Sequence, residues 1–250
     1  MYISNKKNFI FIHIPKTAGE SITEVLYNAD KNEKNIFNIF TEKLALKSLV
    51  FSNFFPTPIK KNNQNSLGLC SSIGKHSSTQ EILNVIDPYL FQRSFKFSFV
   101  RNPWDQVVSF YNHLRKPLYL PQYKGKLLNH YNACKTALEC DFPTWVIEIY
   151  ERRQSQDEMF RTNNPVDHFK NQHEWLYSLD GEMLVDYIGK YESLSKDLEI
   201  IGKRIGIDFS SIPIKNKSQR KNYREYYDST TKDIIGSFFL KDIQLFNYDF

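Results

Sequence analysis

Apolar residues along the chain follow a recurring order of a short run and then a helical stripe. Asn8 to Ile14 (NFIFIHI) is nearly continuous, the pattern of a parallel strand buried on both faces. Glu20 to Asn28 then sets Ile22, Val25 and Leu26 at i, i+3 and i+4, one face of a helix. The order repeats at Phe95 to Val100 (FKFSFV), followed by Arg101-Asn102-Pro103 and a stretch whose apolar side carries Trp104, Val107, Val108 and Tyr111. Asn102 suits an N-cap and Pro103 the first helical position. A third copy runs from Met183 to Lys190 (MLVDYIGK), with Leu194, Leu198, Ile201 and Ile205 as its stripe and Gly206 as its stop. Three strand-then-helix units predict an α/β fold with a parallel sheet flanked by helices. With no internal repeat and no long linker, the simplest organisation is a single domain over residues 1–250.

Two regions interrupt this order. Ser52 to Lys75, rich in Asn, Ser, Pro and Lys, reads as a long loop of the functional or mobile kind. Lys116 to Asp180 holds short aromatic-rich helices such as Phe142 to Glu151, placed beside the sheet where they would shape a cleft, with helical packing alone as the alternative. Asp228 to Leu240 closes the chain as a helix. At 250 residues, with 41% hydrophobic and 15% aromatic positions, the composition excludes a disordered or fibrous protein. Cys70, Cys134 and Cys140 are an odd set with no zinc spacing, so no metal and no disulfide framework is expected. Lys6 and Lys7 precede an apolar run too short for a secretory signal, and nothing later is long enough to span a membrane. A cytoplasmic protein without stable membrane insertion is the expectation. The net charge of +5 fits a polyanionic small molecule or polysaccharide better than nucleic acid, for which no motif is present.

The chemistry concentrates where strands give way to helices. Ile14-Pro15-Lys16-Thr17-Ala18-Gly19-Glu20-Ser21 puts a lysine, two hydroxyls and a glycine at a helix N-terminus. Backbone N–H groups and the helix dipole make such a place receptive to anions. It is neither GxxxxGK[ST] nor GxGxxG, because Lys16 precedes the glycine and no second glycine lies upstream. A capped helix with a surface lysine would read the same way. At the second junction Arg101 ends a strand and Ser109 lies two turns into the next helix, a fork suited to a separate phosphate. Pairing of Arg101 with Asp105 is the competing reading.

HIPKTAGES (His13 to Ser21) and FVRNPWDQVVSFY (Phe99 to Tyr111) resemble the 5′-phosphosulfate and 3′-phosphate motifs of sulfotransferases, most closely the group of the heparan sulfate 2-O-sulfotransferase and its bacterial relatives. The resemblance continues through Lys75-His76-Ser77-Ser78, Gln172 with Trp175-Leu176, Val185 to Gly189, and the tail Asn216-Lys217-Ser218 with Tyr223 to Tyr227. It implies a P-loop-NTPase-like fold with a central parallel sheet. It also implies metal-independent transfer of a sulfuryl group from 3′-phosphoadenosine 5′-phosphosulfate (PAPS) to a hydroxyl, usually on a carbohydrate. By resemblance, Lys16, Thr17, Ala18, Gly19, Glu20 and Ser21 bind the 5′-phosphosulfate, while Arg101 and Ser109 bind the 3′-phosphate. Asn216, Lys217 and Ser218 would cover the nucleotide, though a basic tail is equally read as a solvated face.

Such a reaction needs a base near the acceptor hydroxyl, most often a histidine. Of the six histidines, His76 matches the catalytic histidine of that group. His13 reads as a hydrogen-bonded core residue, and His168 and His173 either line the acceptor cleft or, the simpler reading, are incidental. Lys16 would stabilise the leaving phosphate together with the turn's N–H groups. Trp175 and Tyr177 are candidates for stacking on a sugar ring, with packing as the alternative. Two other functions stay open on the residues alone: a P-loop-like nucleotide kinase, and a non-catalytic domain that binds a nucleotide or an anionic glycan.

Overall fold

The computed structural model describes residues 1–32, 74–116, 128–151, 170–210, 212 and 220–250. Most of the expected Ser52 to Lys75 loop, nearly all of Lys116 to Lys126, His168, and the tail residues Asn216, Lys217 and Ser218 lie outside them. In chain order the elements are β1 (Tyr2–Ser4), β2 (Phe9–Ile12), α1 (Gly19–Asn32), α2 (Thr79–Leu83), α3 (Pro88–Arg93) and β3 (Phe95–Val100). There follow α4 (Pro103–Leu114), α5 (Leu128–Glu139), α6 (Phe142–Val146), β4 (Tyr187–Lys190), α7 (Leu194–Ile205), α8 (Ser229–Phe238) and α9 (Leu240–Phe246). The chain divides into two compact units, Met1–Val100 with Glu174–Lys215, and Arg101–His173 with Asn216–Phe250.

The first unit holds the sheet, which among the described residues has four strands in the order β1-β2-β3-β4. The expected parallel core is present: β2 pairs with β3 from Phe9↔Phe95 to Ile12↔Ser98, and β3 with β4 from Phe97↔Tyr187 to Val100↔Lys190. All four β2 residues are buried, as the continuous apolar run requires. Helices α1 and α7 pack Ile22, Leu26, Leu198, Ile201 and Ile205 with Phe9, Phe11, Phe97 and Phe99 of the sheet. Gly206 stops α7 in the left-handed conformation, φ 67°, and its N–H caps the Gly202 carbonyl.

Two features depart from the sequence reading. An antiparallel strand, β1, pairs Tyr2 to Phe11 and Ser4 to Phe9, making the sheet mixed. It is tied to α1 through the buried Asp30 carboxylate, which accepts from Tyr2 Oη at 2.7 Å and Ser4 Oγ at 3.1 Å. The third strand is shorter than the Met183 to Lys190 expected. Met183 and Leu184 pair instead with Tyr177 and Leu176 around a turn at Gly181, and the chain joins β3 only where the Asp186 N–H donates to the Lys96 carbonyl.

The second unit is helical. Asn102 caps α4 by accepting from the Trp104 N–H, with Pro103 at the first position as expected. Its core is aromatic: Tyr111, Phe142, Trp145, Tyr150, Ile235 and Phe239 are buried together, and Phe142 meets Tyr227 edge-to-face with centroids 4.8 Å apart. The Phe142 to Glu151 helix is realised as α6 followed by one wider π turn at Ile147–Glu151. The closing helix is split into α8, boxed by Asp228 and Thr231, and α9. No helix among the described residues is long and apolar enough to cross a membrane.

Asp30→Ala removes the acceptor of two buried hydroxyls and should cost roughly 1–3 kcal/mol. Urea unfolding measures this, and a change within error would show that β1 is not held through this carboxylate.

Candidate functional site

Strand β2 ends in a turn whose backbone is unusual. Lys16 and Ala18 both sit in the left-handed region, each at φ 67°, although neither is glycine. Each costs about 1–2 kcal/mol relative to right-handed backbone, and such strain collects at functional sites. Alternating handedness over successive residues is also the backbone form that gathers N–H groups into an anion-binding concavity. Thr17, fully buried, closes the turn by donating from Oγ1 to the Ile14 carbonyl at 2.9 Å. Ala18 takes the N-cap position of α1, its carbonyl accepting from the Ile22 N–H. It offers no side-chain oxygen to the first helical N–H groups, so those must be met from elsewhere, a ligand included.

Packing adds its own requirement for glycine at position 19. A Cβ there would lie 1.9 Å from Cδ2 of His13, so only glycine lets the turn close on that imidazole. His13 is 3% exposed and sits just beyond β2 rather than within it.

His76 belongs to the same unit. The turn around it is closed by Ser77 N–H to the Gly74 carbonyl and by Gly74 N–H to Ser77 Oγ. Ser78 and Glu81 then form a capping box that starts α2. The His76 Nδ1 donates to the His13 carbonyl at 2.9 Å, and the two imidazoles meet edge-to-face with centroids 4.5 Å apart. Because a carbonyl only accepts, the proton of the neutral ring is on Nδ1 and its lone pair is on Nε2. Its pKa is pushed from 6.5 down to about 3, chiefly by burial, with the Met1 amino group and Lys75 acting in the same direction; the His13 carbonyl and Glu20 oppose them. The ring is therefore neutral at physiological pH and able to receive a proton. Lys75 Nζ reaches Glu20 at 2.9 Å and ties this loop to the first turn of α1. Lys16 to Ser21 and His76 are thus brought into one neighbourhood by His13 and by this ion pair.

Trp175 is 1% exposed, its indole N–H donating to the His76 carbonyl at 3.0 Å and its own carbonyl accepting from Thr79 Oγ1. Burial corrects the sugar-stacking expectation, since the ring is a support for the His76 loop.

Within the second unit, Arg101 is 5% exposed and makes the contact that the competing reading foresaw: Nε and Nη2 donate to Asp105 at 2.8 and 2.6 Å. A second arginine, Arg220, reaches the other oxygen of the same carboxylate. Two guanidinium groups thus share one carboxylate in a largely buried place, and Arg220 Nη1 is buried without a hydrogen-bond partner among the described residues. A buried N–H of a cation without a partner favours an anionic acceptor. The Arg101 backbone is held by Gln172, whose Oε1 accepts from its N–H and whose Nε2 donates to its carbonyl, both at 2.8 Å. Asp105 and Ser109 share a face of α4 by their four-residue spacing, and Ser109 is half-buried. His173 is engaged by the buried Asp242 at 2.6 Å. Among the described residues no group of three or more His, Cys, Asp or Glu could hold a metal ion.

The sequence placed His13 in the core without its contact with His76, and Arg220 was legible only as one charge in a basic tail. In comparisons with known proteins, the Sulfotransferase family matches residues 1–249. No curated protein matches the chain.

Ala18→Gly should raise stability by ~1 kcal/mol, because glycine accepts the left-handed conformation freely. Gly19→Ala should lower it by roughly 1–3 kcal/mol through overlap with His13. Equal stabilities in thermal unfolding would contradict both. His76 binds its proton more weakly folded than unfolded, so stability is complete above the unfolded value of 6.5 and falls as pH drops toward about 3. His76→Gln should remove up to ~1.4 kcal/mol per pH unit of that slope, measured by denaturant titration across the window.

Proposed function

The chain belongs to the sulfotransferase family, whose general activity is sulfuryl transfer, and on that premise we propose that it carries a sulfuryl group from PAPS to a hydroxyl, preferentially on a carbohydrate. The observation that carries the reading is His76: neutral, with Nδ1 bound to the His13 carbonyl and the lone pair on Nε2, in the same unit as the strained turn. PAPS supplies the activated sulfur and the leaving phosphate. Everything else is the work of side chains and backbone.

In the first unit, Lys16 and the N–H groups of Thr17, Ala18, Gly19, Glu20 and Ser21 take the phosphosulfate. The order β2, turn, α1 supports a P-loop-like reading, with the lysine in front of the helix rather than at its first turn. His76 accepts the acceptor's proton at Nε2 as the acceptor oxygen bonds to sulfur. The sulfur–oxygen bond to the 5′-phosphate breaks in the same displacement, and Lys16 with the turn's fixed dipoles meets the charge left on that phosphate. Adenosine 3′,5′-bisphosphate and the sulfated acceptor are the products.

In the second unit, Arg101 and Ser109 take the 3′-phosphate, Asp105 holds Arg101 in orientation, and Arg220 adds its buried Nη1. The tail residues Asn216, Lys217 and Ser218 contribute to nucleotide binding on the strength of the family resemblance.

Lys16→Ala and His76→Gln should each lower turnover about a hundredfold or more while His76→Gln leaves adenosine 3′,5′-bisphosphate affinity unchanged. Arg101→Ala should weaken that affinity by about 1.5–3 kcal/mol. Turnover with labelled PAPS and an acceptor panel, and calorimetry with the bisphosphate, read these effects. Near-normal turnover of His76→Gln would remove it as the base, and unchanged affinity of Arg101→Ala would remove the 3′-phosphate assignment.

A further inference from the structure

We infer that the His13 imidazole is a positioning residue, a flat wedge that fixes the His76 ring against the Lys16 to Gly19 turn; the inference rests on the reading of His76 as base. Three contacts converge on the one ring. The Gly19 backbone approaches so closely that an added Cβ would fall 1.9 Å from Cδ2 and 2.1 Å from Nε2. The His76 ring stands edge-to-face at 4.5 Å, and the Phe11 ring of β2 lies nearly parallel at 6.0 Å and 18°. A ring with 3% exposure, in contact with a core aromatic, a turn and the base, is closely confined by packing.

The geometry has a consequence for proton transfer. A base must hold its lone pair within a few tenths of an ångström of a fixed line to the acceptor, and loose support costs rate long before it costs binding. The backbone carbonyl of His13 fixes one end of the His76 ring by its hydrogen bond with Nδ1. The edge-to-face contact with the His13 imidazole adds a second point of support, off the axis of that hydrogen bond. The same ring touches both the base and the Gly19 backbone of the turn.

The carbonyl stays in every His13 variant, so substitution isolates the ring. The charged and titratable groups around His76, namely Lys75, Glu20 and the Met1 amino group, are unchanged as well. His13→Ala opens space beside His76, admits water and removes that second point of support. Its expected signature is a tenfold or greater loss in kcat, a KM for PAPS within threefold of the parent, and a His76 titration moved up by at least one pH unit in NMR spectra of histidine-labelled protein. His13→Phe keeps a flat ring and should hold kcat within about threefold and the titration near its parent position. His13→Leu, which keeps apolar bulk without a flat ring, should behave as the alanine variant does, and it covers the case in which alanine does not fold.

A merely structural role would lower stability and leave kcat and the His76 titration of the folded fraction unmoved, which would overturn the inference. So would a phenylalanine variant as impaired as leucine. Absence of sulfuryl transfer in the parent protein would remove the proposed function instead, and the His76 titrations of the three variants would still decide whether His13 seats that ring.

Discussion

A strand buried on both faces cannot carry polar chemistry along its length, and that constraint organises the first unit. All four residues of β2 are fully buried between its parallel neighbour β3 and the antiparallel β1. Polar function is displaced to the place where the strand stops, and there the chain has only a few residues in which to reverse into α1. The reversal is sharp enough to force Lys16 and Ala18 into left-handed backbone. The strain is stored because the flanking elements leave no alternative: Thr17 is pinned to the Ile14 carbonyl, and Gly19 is packed on His13. The turn is then rigid before any ligand arrives, which is the condition under which N–H groups stabilise charge at no reorganisation cost.

Cations in both units are held by carboxylates, with different consequences. Lys75 and Glu20 form a partly exposed pair, 35% and 56% accessible at the side chains, of a type worth about 0–1 kcal/mol. An incoming anion can take Lys75 from Glu20 at little loss. Arg101 and Asp105 are different, being largely buried and joined by two hydrogen bonds, and separating such a pair costs roughly 3–5 kcal/mol. On the proposed reading Asp105 stays in place as the support that orients Arg101 toward a phosphate. Arg220 shares the same carboxylate and keeps its buried Nη1 without a hydrogen-bond partner among the described residues.

Elements with a strong period were legible in the sequence: β2, β3, α1, α4 and α7 arise where apolar spacing places them, and Asn102, Pro103 and Gly206 act as caps and stops for local reasons. Strand β1 was not legible, because three residues carry no period and their hold is Asp30, far along the chain. The short β4 was overread, since MLVD looks like a strand but pairs locally around Gly181 and is captured by β3 only at Asp186. Lys16 to Ser21 and His76 are proposed for the candidate site from residue type and motif. What no motif encodes is which neighbour a side chain meets. The imidazole against which Gly19 packs, the burial of Trp175 and the Asp105 carboxylate that engages Arg101 are visible only in the folded chain.

A histidine whose proton affinity is held so low is a poor base in the protein without ligand, and the low value follows from burial with positive neighbours. The groups that oppose the shift are the His13 carbonyl and the Glu20 carboxylate. An anion seated on the turn would act on His76 in the same direction as Glu20, and by drawing Lys75 toward itself it would turn a destabilising neighbour into a screened one. On the proposed reading the strength of the base therefore follows occupancy of the turn. His76 is neutral and weakly basic while the turn is empty, and it gains proton affinity when the anionic donor that requires a base is in place. Coupling of this kind confines proton removal to the complex in which sulfur is present to be attacked.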